Sequence, residues 1–402
     1  MSRASSPAGA PGGTLARRSL APDLARGFML LVIATVHAHM FRQIVGGADG
    51  LSLAGTLDVA VTGFMTLFAE SRGYPMFAAL FGYGLARIHL RRTAEGRPWP
   101  WVRSLVRRRG RWMIVIGFLH TALLFYGDII TVYGLVALLL AGLLRRGDRR
   151  LLATGLLWAS VGVLVYAMAE AGAASAGLPA QSLEVTPLVD LAMRLAVWPV
   201  MTVLMLGISV LPFTVGVWAA RRRIMEEPER HLGFLRLVAL VGITSAVIGA
   251  IPQTLVMVQV WQPGTVALAA AKWAHVVSGY AGGFGYAAAI ALVAVAIGGR
   301  RGPVVRALAA TGQRSMTCYL LQSVAWVVLF LPYTLDLAGR FDDAGAVLVG
   351  AAVWAATVVI AAVMDRYGVR GPAETFLRRM TRGPGVRDAA VPEEEPSPAA
   401  RD

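Results

Sequence analysis

The stretch that decides the fold is residues 107–150, RRRGRWMIVIGFLHTALLFYGDIITVYGLVALLLAGLLRRGDRR. It opens on arginines, runs apolar, turns at Gly127-Asp128, runs apolar again and closes on Arg145, Arg146, Arg149 and Arg150. Two apolar runs, roughly Trp112 to Tyr126 and Ile129 to Leu144, joined by a polar turn and flanked by arginine, read as a helical hairpin crossing a bilayer.

The same grammar extends in both directions. Further apolar runs lie at Leu24 to Val45, Gly73 to Leu90, Leu151 to Ala171, Leu191 to Ala220, Phe234 to Val258, Val266 to Gly298, Ser315 to Leu331 and Ala344 to Val363. Threaded as alternating spans, they leave all but five of the 38 basic residues on one side, the five being Arg42, Arg72, Arg194, Lys272 and Arg340. Because Arg and Lys are retained on the cytoplasmic side, the reading is an all-α polytopic membrane protein of about ten spans with both termini inside. Leu57 to Ala69, before the break at Glu70, Arg72 and Pro75, reads as an apolar surface or re-entrant helix.

Composition agrees. A 56% hydrophobic content, mean hydropathy of +0.62 and 15% charged residues depart from soluble domains, which carry about 25% charge. A net charge of +15 suits loops facing an anionic leaflet better than nucleic acid. One cysteine, Cys318, excludes an intrachain disulfide or a cysteine-based metal site; no metal is expected. The chain divides into a leader at 1–20 expected to be disordered, a membrane domain at 21–365, an interfacial segment at 366–382 with Phe376, Leu377 and Met380 on one face, and a disordered tail at 383–402.

An ionisable residue inside a span costs at least ~2.5–3.5 kcal/mol at its centre, so each one present requires a reason. Arg26 and His37 lie ~20° from eclipsed on one helix face and ~16 Å apart along it. That spacing suits a cation holding an anionic donor near the inner end and a neutral imidazole acting as general base deeper in; an anchoring arginine and a helix-bonding histidine fit it equally. His120 and Asp128 are a possible relay pair, but on one continuous helix they would stand ~12 Å and ~80° apart, out of contact. Asp128 alternatively caps the second arm of the hairpin. Glu70 with Arg72 reads as a neutralised pair near the outer interface, and Lys272 with His275 as one face of an outer cavity. Arg314, Ser315 and Gln322 begin a polar stripe into the membrane, suited to donor contacts or to interhelical hydrogen bonds. Neither a phosphate-binding loop nor an H-E-x-x-H zinc motif is present. The glycines at Gly279 to Gly285 and at Gly82 and Gly84 read as close helix packing.

Several segments carry a family likeness: Asp23-Leu24-Ala25-Arg26-Gly27-Phe28, Phe77 to Gly84, Gly117-Phe118-Leu119-His120 with Tyr126 to Ile130, Gly312 to Ser323, and Gly371-Pro372-Ala373-Glu374. Their order and spacing over roughly residues 20 to 382 resemble the YeiB-like family of bacterial inner-membrane proteins, domain of unknown function 418. That family looks distantly related to the acyltransferase-3 and heparan-glucosaminide N-acetyltransferase group, where a basic residue, ten intervening residues and a histidine mark the first span; Arg26 and His37 match that spacing. The resemblance implies a multi-pass inner-membrane O- or N-acyltransferase. It would take acyl-CoA as donor, held by Arg26 and Arg314, and a small-molecule, lipid or glycan acceptor, with His37 or His120 as base. A transporter or exporter without chemistry is the competing class, since buried His, Lys and Arg suit proton coupling equally. A structural or sensory membrane protein is the third.

Overall fold

The computed structural model describes residues 19–45, 55–176 and 186–382. Residues 1–18 of the expected leader, residues 46–54 and 177–185, and the tail lie outside the described residues. Thirteen α-helices form the described part, and no strand occurs among the described residues. They are α1 (Leu20–Val45), α2 (Thr56–Phe68), α3 (Gly73–Ala94), α4 (Trp99–Leu123), α5 (Ile130–Leu139), α6 (Asp148–Ser175), α7 (Pro187–Arg221), α8 (Leu232–Met257), α9 (Thr265–Ile297), α10 (Pro303–Gln313), α11 (Ser315–Phe330), α12 (Asp343–Arg366) and α13 (Pro372–Arg382). A helix satisfies its own backbone donors and acceptors, which is what a chain surrounded by hydrocarbon requires.

Six helices, α1, α6, α7, α9, α12 and α8 with its short lead-in, are long and apolar enough to cross a membrane. Two further apolar helices, α5 and α11, are shorter. The hairpin is asymmetric: α4 runs unbroken through its arginines to Leu123, whereas its partner α5 ends at Leu139 and passes into a 3-10 turn, Ala141–Arg145. Helix α10, an amphipathic segment not anticipated from the sequence, precedes α11 and breaks from it at Arg314.

Helix α1 is the axis of the bundle, packed against α3, α9, α10, α11 and α12. Ala25, Met29, Leu30, Ala34 and Ala38 on it are wholly buried. Outside it, α3 packs on α7, α7 on α6, α8 on α9, and α4 on α5. Backbones approach closely at glycines: a Cβ on Gly216 of α7 would strike the Ala79 carbonyl of α3, and one on Gly82 the Phe213 carbonyl. The run Gly279, Gly282 and Gly283 on α9 makes room for Ser71 and Arg72 at the start of α3, the packing role expected for it. Outward faces stay apolar, with Leu157, Leu164, Leu240, Ile248 and Val359 exposed; in a membrane protein these contact lipid.

Arginine-rich loops meet at one end of the bundle. Arg87 pairs with Glu226, Arg221 with Asp148 at 2.6 Å, and Arg145 lies 5.7 Å over the Trp99 ring. The other end holds Lys272 near Glu170 at 3.8 Å and Tyr333 bonded to Asp190 at 2.5 Å.

Candidate functional site

Two histidines two positions apart on α1 point ~200° apart around the helix, and each enters a different polar constellation. The first contains His120. Helix α4 stops at Leu123, and the amides of Leu124 and Phe125 both donate to the His120 carbonyl, at 2.8 and 3.0 Å. That tight ending reverses the chain and brings Asp128 back beside the imidazole: its Oδ1 lies 3.0 Å from His120 Nδ1, at ion-pair distance though off the line of a well-formed hydrogen bond. The expectation that the two residues stand ~12 Å apart is therefore corrected, because the helix it extrapolated does not continue past Leu123. Asp128 also caps the second arm as expected, accepting from the amides of Ile130 at 3.1 Å and Thr131 at 2.6 Å. Gly117 permits the approach, since a Cβ there would fall on Asp128 and Thr131.

On its other face His120 Nε2 is 2.8 Å from Ser323 Oγ of α11. Asp128, His120 and Ser323 are all buried, at 3%, 2% and 0% exposure, and thus form a carboxylate–imidazole–hydroxyl chain inside the bundle. Tyr319 stacks its ring 5.1 Å from His120, and His37 sits half-buried with its ring 5.0 Å from Phe125 and 6.2 Å from Tyr319. Thr131 Oγ1, beside Asp128, is buried without a hydrogen-bond partner among the described residues.

The second constellation contains His39, which the sequence reading passed over. Asp343 at the start of α12 accepts from Arg42 at 2.5 Å and Thr62 at 2.9 Å, and lies 3.6 Å from His39. His39 reaches Glu70 at 3.7 Å on its other nitrogen. Arg72, wholly buried, donates to the Glu70 and Ala246 carbonyls and stands 3.4 Å from His275. Glu70 and His275 are thus joined through Arg72, while Lys272 turns away to Glu170.

The expected donor contacts separate. Arg26 lies 3.5 Å from Asp23 and 3.5 Å from the Leu80 carbonyl, within electrostatic reach of Arg109 on α4. Arg109 was concealed in a run of basic residues; its Nε is buried without a hydrogen-bond partner among the described residues. Arg314 is engaged internally, donating to the carbonyls of Val369 at 2.7 Å and Ala310 at 3.2 Å and to Asp365 at 3.1 Å. Gln322 donates to Thr357 at 3.3 Å. Ser315 is half-buried at the start of α11, where Glu374 of α13 accepts from the amides of Met316 at 2.8 Å and Thr317 at 3.2 Å and from the Thr317 hydroxyl at 2.6 Å. Among the described residues no cluster of His, Cys, Asp and Glu has the arrangement of a metal site.

Residues 219–384, from the end of α7 through α13, match the family described as a protein of unknown function, DUF418. The chain is also 28% identical over 131 residues to the uncharacterized protein YeiB of Escherichia coli (strain K12), a match covering 32% of this chain and 31% of the relative. Both matches support the YeiB-like DUF418 family. The chain thus aligns with about a third of the length of the curated relative it matches. No solved structure matches. The DUF418 match contains Ser323, Asp343 and Glu374, whereas His37, His39, His120 and Asp128 lie before it.

Proposed function

We propose that the chain is a membrane-bound acyltransferase in which His120 is the general base. The observation that carries this reading is the buried chain from Asp128 through His120 to Ser323, with contacts of 3.0 and 2.8 Å. An imidazole held in this way accepts a hydroxyl proton at one nitrogen while the carboxylate at the other fixes the ring and balances the imidazolium. Ser323 Oγ attacks the carbonyl carbon of an acyl thioester as its proton passes to His120 Nε2. The C–S bond then breaks and the thiolate leaves with that proton. An acceptor hydroxyl or amine attacks the acyl-serine, giving its proton to His120, and Ser323 regains a proton as it departs.

By resemblance the donor is acyl-CoA and the acceptor a small molecule, lipid or glycan. Arg26 and Arg109 at the arginine-rich end are placed to hold donor phosphates. Ser323 is eight residues along α11 from that end, a rise of ~12 Å. The arginine asymmetry supports a cytoplasmic position for this end. In this reading the six long apolar helices, with α3, α4 and the shorter α5 and α11, are the ten spans in a bacterial inner membrane.

The test is incubation of purified protein with radiolabelled acetyl-CoA and longer acyl-CoA, scoring thiol release and an ester on the tryptic peptide containing Ser323. Label lost in Ser323→Ala and His120→Gln but kept in His37→Gln supports the reading. Absence of both acyl-CoA binding and thiol release overturns it. Transport is the second reading, favoured by the buried ionisable network around His39, Arg42, Glu70, Arg72 and Asp343.

A further inference from the structure

Arg103, Arg107 and Arg111 recur every four residues on α4, and with Pro100, Ser104 and Leu138 they line a cleft of ≈ 440 Å³ between α4 and α5. At 100° per residue, Arg103, Ser104, Arg107 and Arg111 fall within ~100° of one helix face. Several arginines at the same end of the bundle are paired: Arg92 with Glu95 at 2.7 Å, Arg222 with Asp148 at 2.7 Å, and Arg223 with Glu227 at 2.6 Å. Among the described residues none of Arg103, Arg107 and Arg111 has an ion-pair or hydrogen-bond partner, and all are exposed. Like charges four apart on a helix repel by roughly 0.2–0.5 kcal/mol a pair, so the row favours an anion lying along it.

The same face changes character one turn further on. Val115 is 44% exposed and Phe118 40%, while Leu139, level with the arginines beside the Leu138 wall, is 62% exposed. By the same helical arithmetic Val115 and Phe118 fall within ~120° of Arg103. The surface is therefore a cationic cleft continued by an apolar strip. Its shape answers an amphipathic anion with a phosphate at one end and acyl chains at the other. A free phosphate or nucleotide has no use for the strip, and a zwitterionic lipid leaves the cations uncompensated. Basic clefts between helices at a membrane surface recognise anionic headgroups through this combination of charge and depth.

We infer that the face of α4 from Arg103 to Phe118, closed on one side by Leu138, is a binding site for a single anionic phospholipid of the surrounding bilayer. The arginines bond its phosphate and headgroup oxygens, and its chains lie along Val115, Phe118 and Leu139. The site is separate from His120, which lies on the buried side of the same helix, and it does not depend on the catalytic reading.

The test uses the full chain in phosphatidylcholine vesicles with trace spin-labelled phosphatidylglycerol or phosphatidylcholine. The readout is the relative association constant from the motionally restricted fraction. Each cation near an anionic headgroup gains ~1 kcal/mol, about fivefold in affinity. The triple variant Arg103→Gln/Arg107→Gln/Arg111→Gln is expected to lose at least about tenfold of the preference for phosphatidylglycerol. The control Arg300→Gln/Arg301→Gln/Arg306→Gln removes the same charge from exposed arginines elsewhere and is expected to retain the preference. Phe118→Ala, with the arginines intact, is expected to weaken retention of both labelled lipids. Equal loss in the two triple variants would assign the effect to diffuse surface charge and overturn the site. Displacement of the lipid by millimolar inorganic phosphate or acyl-CoA would overturn it in favour of a soluble anion. Arg107→Gln alone serves as a second variant if the triple variant does not fold.

Discussion

Asp343→Asn tests the network at the second histidine most directly. The carboxylate is 1% exposed and is the shared acceptor of Arg42 at 2.5 Å and Thr62 at 2.9 Å, with His39 at 3.6 Å. Asparagine keeps the shape and one acceptor oxygen but removes the charge. With charge centres ~4 Å apart and an effective dielectric constant of about 20, the lost attraction to Arg42 is ~4 kcal/mol. That agrees with the ~3–5 kcal/mol typical of breaking one side of a buried pair. Arg42→Met/Asp343→Leu removes both charges, and exchange of a buried pair for packed apolar groups is often close to neutral. The double variant should therefore recover at least about half of the single-variant loss. The assay is reversible unfolding in mixed detergent micelles, read by tryptophan fluorescence for wild type, Asp343→Asn, Arg42→Met, Asp343→Leu and the double. A loss below about 1 kcal/mol in Asp343→Asn, or strict additivity in the double, would refute the argument that this carboxylate neutralises the cluster.

Asp128→Asn keeps the acceptor for the Thr131 amide, gives up the longer bond from Ile130, which goes to the other oxygen, and loses the charge beside His120. Folding should hold within about 1–2 kcal/mol while acyl transfer falls by about 100-fold or more, a separation visible by comparing melting with turnover. Glu374→Ala removes three bonds at the start of α11, each involving a charged acceptor and worth about 1.5–3 kcal/mol. Helix α13 should then detach, and limited trypsin digestion should cleave at Arg378, Arg379 and Arg382 faster than in wild type. Gly216→Leu places a side chain on the Ala79 carbonyl, whereas Gly142→Ala meets nothing within 4 Å. The first should abolish the monodisperse peak in gel filtration and the second should leave it unchanged.

What the sequence disclosed and what it withheld follow from the range of the physics. Hydropathy and arginine placement are local, so the helical class, the hairpin at Gly127-Asp128, the packing glycines of α9 and the tail helix near Phe376 to Met380 could be read directly. The His120–Asp128 contact was misread because helical arithmetic assumed a helix that ends at Leu123. Ser323 entered only as the last residue of the Gly312 to Ser323 segment, since its partner His120 lies 203 residues away. His39 was missed although the cost of an ionisable residue in a span applies to it as fully as to His37; its partners Glu70 and Asp343 come from α2's end and α12, which no spacing rule connects.

Under the proposed function, a substrate must reach Ser323, which is wholly buried, and backbone packing limits where the bundle can open. Helix α1 is clamped on one side by close backbone approach: Gly27 to the Leu308 carbonyl, Gly312 to Asp23, and Gly350 to Ala34 and Thr35. Helices α4 and α5 are locked together at Gly110 and Gly134, so that hairpin moves as one piece. Between the hairpin and α11 the joining contacts are side-chain ones: His120 to Ser323 at 2.8 Å, and the Tyr319 ring against His120 at 5.1 Å. Extensive contacts pair α4 with α5 and with α13, and are sparse between α4 and α11. A seam held by side chains opens at lower cost than one held by interlocked backbones, because rotamers change without unfolding a helix. On the proposed acyltransferase reading, the face of the hairpin toward α11 is the route to His120 and Ser323. Because α13 packs on both α4 and α11, the Glu374 latch restrains that route from the arginine-rich end.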